Sequence, residues 1–115
     1  MEIKRYESNG RFCTAVAYGG ILYTSGLVDI DQDDFAAQTQ GVFKKLDEAL
    51  EKYGSSRDRI LSASCYLKDA ADVAVFNELW TKWVMTGHEP VRATIVTEFV
   101  HPKILVEIAV VAALK

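Results

Sequence analysis

Apolar residues in this chain fall into two helix-spaced stripes and several strand-length blocks. Phe35, Val42, Phe43, Leu46, Ala49, Leu50 and Tyr53 recur at three- and four-residue steps and make one stripe. Asp33 or Asp34 can cap its start, and Gly54 suits its C-terminal end. Val73, Phe76, Trp80, Trp83 and Val84 make the second, with Asp72 as a candidate cap and Gly87 and Pro90 closing it. The spacing predicts a helix over each stripe. The blocks predict strands at Phe12–Ala17, Ile21–Ser25, Ile60–Leu67, Val91–Phe99 and Ile104–Leu114, with a further short strand near the N-terminus. Tyr18-Gly19-Gly20 is a hairpin connection, since glycine tolerates φ > 0. No repeat or linker divides the sequence. Residues 1–115 read as a single α+β domain, a mixed β-sheet with two helices on one face.

The last two strands carry the candidate chemistry. Val91, Ala93, Ile95 and Phe99 alternate with Arg92, Thr94, Val96 and Glu98, and the first set suits the helices. In the final strand the even positions Ile104 to Ala112 are apolar, and so are the odd ones, except Glu107. A strand apolar on both faces expects cover on both, and two helices cover only one. The second face is therefore expected to meet another subunit. Joined as a hairpin across Val100-His101-Pro102-Lys103, the strands would set Arg92 diagonal to Glu107 on one face, about 7 Å away. A buried carboxylate needs such a partner or a proton. The pair reads equally as a register-fixing ion pair or as a site, with Arg92 a bidentate carboxylate receptor and Glu107 a water-orienting base.

Composition narrows the function classes. Thirteen Lys and Arg against sixteen Asp and Glu give a formal charge of -3, which supplies no attraction to phosphate backbones or anionic lipid. No run approaches a membrane span, and the N-terminus has no apolar signal region. Cys13 and Cys65 read as reduced thiols of a cytoplasmic protein. His88 and His101 lie beside prolines without metal-ligand spacing, and the Asp29–Asp34 cluster lacks the spacing of a calcium loop. Ser25-Gly26 ends a strand with backbone N–H groups that could face a ligand. No phosphate loop, nucleophile elbow or dinucleotide fingerprint occurs.

Several segments in order resemble the RidA family, also called YjgF, and within it the shorter YoaB-like branch. They are YTSG at Tyr23–Gly26, GSSRDRILSASCYLKD at Gly54–Asp69, FNELWTKWV at Phe76–Val84, PVRAT at Pro90–Thr94 and LVEIAVVAA at Leu105–Ala113. The resemblance implies a chorismate-mutase-like fold and a homotrimer with ligand clefts between subunits. It implies hydrolysis of reactive 2-imino or enamine acids to 2-keto acids and ammonium, with no metal or organic cofactor. By the same resemblance Arg92 binds the substrate carboxylate and Glu107 acts on water. Ser25, Gly26, Asn77, Phe12 and Thr94 border the cleft. Phe12 stands where active members carry tyrosine, and Thr94 where they carry cysteine. The alternative is a non-catalytic trimeric module that senses a small carboxylate such as a 2-keto acid. Endoribonuclease activity, attached to parts of the family, finds no basic stripe or aromatic stacking motif here.

Overall fold

The computed structural model describes all 115 residues. Strands β1 (Lys4–Tyr6), β2 (Ala15–Tyr18) and β3 (Ile21–Thr24) form an antiparallel meander. Tyr18 pairs with Ile21 across Gly19 and Gly20, whose φ of 59° and 81° are the two positive values such a two-residue turn demands. Helix α1 (Phe35–Lys52) follows, then β4 (Ile60–Leu67), α2 (Val73–Trp83), β5 (Val91–Val96) and β6 (Val106–Ala113). The sheet order is β1-β2-β3-β6-β4-β5.

Both helices pack on one face, as their stripes predict. Asp34 caps α1 by accepting from the Ala37 N–H at 2.8 Å. Asp72 does not cap α2: it is already helical, and Asp69 instead accepts from the Ala71 N–H of the short 3₁₀ turn that leads into α2. That turn, Ala70–Asp72, moves the capping position three residues upstream. Phe43 of α1 stacks on Trp83 of α2 with ring centroids 4.5 Å apart. Leu22, Leu46, Leu67, Phe76, Val106 and Ile108 are fully buried in the same core cluster. Asp47 ties the helices further, accepting from Arg57 at 2.7 Å and from the Trp83 indole N–H at 3.2 Å.

The expected hairpin between the last two strands does not form. β5 lies parallel to β4, with Cys65 opposite Thr94, and β6 lies antiparallel on the other side of β4, with Tyr66 opposite Glu107. The reason is the crossover through α2, which returns the chain to the start of β4 and leaves β5 running in the same direction at the sheet's edge. The doubly apolar β6 then takes a central place between β3 and β4. The connection from β5 to β6 passes around the end of β4, held by Thr97 N–H to Leu67 O and Lys68 N–H to Leu105 O. Buried Gln38 of α1 fastens it: its amide donates to the Gln32 and Lys103 carbonyls and accepts from the Leu105 N–H at 3.0 Å.

The face away from the helices stays open. Val111 and Ala109 of β6, Tyr23 of β3, Ser62 and Ser64 of β4, and Val91, Ala93 and Ile95 of β5 share it by register. Val91 and Ile95 are exposed, at 72% and 49%. The sequence expected the opposite face for these β5 residues. The parallel register with β4 decides the matter: Arg92, Thr94 and Val96 stand level with the buried Ala63, Cys65 and Leu67, on the helix side.

Candidate functional site

The residues singled out from sequence fall into two groups. The first gathers at one end of the open face. Glu107 is half-buried there, and desolvation raises its pKa above the ordinary 4.5. Its carboxylate lies against the backbone of Gly26: a β-carbon at Gly26 would stand 2.3 Å from Oε2. The strand-end pairing that brings them together is the bridge between Leu27 and Ile108, with Leu27 N–H donating to Ile108 O at 2.9 Å. Ser25 N–H donates to Thr14 O, which places the Phe12–Thr14 segment beside the same corner. Phe12 is 58% exposed, and its N–H is held by Asn9 Oδ1. A groove of about 420 Å³ opens beside Glu107, lined by Gly26, Tyr66, Phe99 and Ala109 and reached by Glu98.

The second group lies across the sheet. Arg92, at the start of the edge strand, lays its guanidinium over Phe76 and Trp80 of α2, with Cζ 5.5 and 5.2 Å from the ring centroids. Its Nη2 donates to Asn77 Oδ1 at 2.8 Å. Thr94, two residues on and facing the same way, has a hydroxyl that is buried and makes no hydrogen bond. Beside it the Cys65 thiol is pushed up to about 12 by burial, against the opposing pull of the Arg92 charge.

Arg92 and Glu107 therefore do not meet within one chain. They sit on opposite faces, with β4 between their strands. Ala63, level with Arg92, pairs with Val110, so the two lie three residues apart along the sheet as well. That is roughly 10 Å along and 10 Å across. The diagonal same-face pair expected from the hairpin is thus replaced by two separate half-sites: Ser25, Gly26, Glu107 and the Phe12 loop in one, Arg92, Asn77 and Thr94 in the other. No three His, Cys, Asp or Glu side chains converge to hold a metal ion.

A profile of the family described as Endoribonuclease L-PSP matches residues 2–114. The RutC family protein YoaB of Escherichia coli K12 is 39% identical over 114 residues, covering 98% of this chain and 99% of that one. The chain belongs to the YjgF/RidA family. A YjgF family protein from Neisseria meningitidis superposes with a TM-score of 0.96 at 32% identity, over all of this chain and 97% of the other. A Rid family protein, YyfA from Yersinia pestis, gives 0.83 at 26% identity over 93% and 90% of the two chains. No helix of this YjgF/RidA chain is long and apolar enough to cross a membrane.

The sequence placed Phe76 and Trp80 on the apolar stripe of the second helix. Both are buried, yet in this family member their ring faces also carry Arg92. The available signal was the i, i+4 spacing of Phe76 and Trp80 and the i, i+3 spacing of Asn77 and Trp80, which sets Trp80 beside both the ring and the amide. It gained meaning only once β5 was placed parallel to β4.

Proposed function

We propose that the chain hydrolyses reactive 2-imino and enamine acids to 2-keto acids and ammonium, in clefts between the subunits of a cytoplasmic homotrimer. The observation that carries this reading is the split site. Beyond its bond to Asn77, Arg92 presents guanidinium donors with no partner in its own chain, and Glu107 presents a carboxylate with a raised pKa and no cation near it. Copies packed head to tail, the Arg92 edge of one against the open face of the next, would supply to each half the one it lacks.

In such a cleft Arg92 holds the substrate carboxylate by paired hydrogen bonds, fixing the imine carbon near a water. Glu107 takes a proton from that water as its oxygen bonds to the carbon of the protonated imine, giving a neutral tetrahedral carbinolamine. It then returns the proton to nitrogen; as the C–N bond breaks and the C=O of the 2-keto acid forms, the hydroxyl proton passes by way of Glu107 to the departing ammonia, which leaves as ammonium. Water supplies the oxygen, and no electrons change hands. A raised pKa suits a group that must accept and give a proton near neutrality. Ser25 and Gly26 offer backbone at the Glu107 corner, and Phe12 offers an apolar wall without a hydroxyl.

The experiment generates 2-iminobutyrate in situ with an amino-acid oxidase, traps it with semicarbazide, and mixes Arg92→Ala with Glu107→Gln chains after joint refolding. Each variant alone is expected to be inactive. The mixture recovers roughly a quarter of wild-type activity, because random assembly restores one intact cleft in four. No recovery from well-folded mixed trimers sinks the shared-cleft mechanism.

Phe12 favours a second reading, a trimeric sensor that binds 2-keto acids without turnover. It predicts pyruvate-dependent stabilisation, abolished in Arg92→Ala, with no loss of trapped imine at any enzyme concentration. Ribonuclease action finds no support in the net charge, since acidic residues outnumber basic ones, sixteen to thirteen.

A further inference from the structure

The chain lays an arginine on aromatic rings of α2 twice, and the two sites differ in their polar partner. Arg57 lies 5.3 Å from the Trp83 ring centroid, and Asp47 binds it with a carboxylate at 2.7 Å. Arg92 lies 5.2 Å from the Trp80 centroid, and its polar partner is the neutral amide of Asn77. The first guanidinium is neutralised where it stands, and it also donates to the Trp83 carbonyl at 2.9 Å. The second is held as closely, by two ring faces and an amide oxygen, yet forms no ion pair in the chain.

The orientation of the amide follows from chemistry. A guanidinium only donates, so Asn77 must turn its oxygen to Arg92. Its Nδ2 is left as a further donor with no partner in the chain, beside the remaining N–H groups of Arg92. An aspartate here would grip Arg92 more strongly but would cancel its charge.

We propose that Asn77 and Trp80 are positioning residues that fix the Arg92 guanidinium in advance while leaving its full charge for a planar monoanionic carboxylate. This rests on the reading of Arg92 as the carboxylate receptor and assigns its support. Trp80 sets the plane of the guanidinium, and Asn77 sets its rotation within that plane. Pre-orientation lowers the entropy lost when the ligand binds, so loss of either group weakens binding before it slows chemistry.

The test reads position and affinity separately. In the full-length wild type, the Arg92 Nε–Hε NMR signal is expected upfield of a free arginine, shifted by the ring currents of Phe76 and Trp80. Asn77 is exposed, so Asn77→Ala should fold; Trp80→Phe keeps a ring face should Trp80→Leu prove unstable. Trp80→Leu and Asn77→Ala move the signal toward the free position, and Trp80→Phe largely preserves it. Pyruvate binding weakens about tenfold in Trp80→Leu, and in imine hydrolysis the change appears in KM with kcat nearly constant. Asn77→Asp keeps the Arg92 signal ordered yet binds pyruvate more weakly than Asn77→Ala. An Arg92 signal indifferent to both Trp80→Leu and Asn77→Ala overturns the proposal, as does wild-type pyruvate affinity in Asn77→Asp. If the signal responds as expected while the wild type neither binds 2-oxo acids nor consumes imine, positioning stands and the proposed reaction falls.

Discussion

The Glu107 carboxylate occupies the space that a side chain on Gly26 would need, with Oε2 2.3 Å and Cδ 2.7 Å from the position of a β-carbon. Glycine is required there by close approach rather than by φ. Gly26→Ala is expected to push the flexible end of Glu107 aside, costing under about 1 kcal/mol of stability. Imine hydrolysis falls by about a hundredfold, since small misplacements of an acting group have effects of that size. Gly41→Ala makes the contrast. Its β-carbon would collide with the buried Asp29, down to Cβ at 3.0 Å, and that side chain has little room to turn. A loss of about 2–3 kcal/mol is expected, measured by urea unfolding. Equal effects of the two substitutions on stability would contradict this difference.

Glu107 also gives the chain a pH dependence of definite sign. Desolvation raises its folded pKa above 4.5, so the folded state binds the proton more tightly than the unfolded state. Its contribution to stability is therefore fully present below the unfolded pKa and is lost as pH rises through the folded one. Glu107→Gln should flatten unfolding free energy against pH across that window and be more stable than wild type above it. Urea titrations from pH 4 to pH 7 at constant salt make the comparison. A wild-type curve that rises there while the variant's stays flat would reverse the sign.

Thr94 hides an unpartnered hydroxyl on the helix side of β5. Replacing it by the isosteric valine removes a desolvated polar atom and keeps the shape. Thr94→Val is expected to gain about 1 kcal/mol, a rise of about 4 °C in Tm. A destabilised variant would mean that the hydroxyl has a partner in the assembled protein.

The two thiols should separate under an aromatic disulfide reagent. Cys65 is fully buried and its thiol is pushed up to about 12, so almost no thiolate exists at pH 8. Cys13 is partly exposed. One equivalent is expected to react in the native state and the second only in denaturant. Prompt reaction of both would show that the sheet opens near β4.

Much of the fold was legible because local patterns agreed with the global one. Both helix stripes lie in the core, Asp34 caps α1, and the even positions of β6 face the helices. The pairing of β5 was not legible. An alternating hexapeptide such as Val91–Val96 has no intrinsic face preference, and two strands joined by a short polar loop imitate a hairpin. Strand order depends on the α2 crossover, which no local signal records. The candidate residues were named from the sequence, but their division into two half-sites was not, because it follows from strand order alone.

That order also bears on how the chain is made. β6 is the last of the six strands in chain order yet sits fourth in the sheet, pairing β3 on one side and β4 on the other. Until Val106–Ala113 leaves the ribosome, the N-terminal meander and the β4–α2–β5 unit are two unjoined pieces with bare edges. Closure thus waits for the sixth strand and is dominated by long-range pairing, which is slow. A chain arrested before β6 would expose both edges to other nascent chains, so the segment Val106–Ala113 bears on solubility as well as on packing.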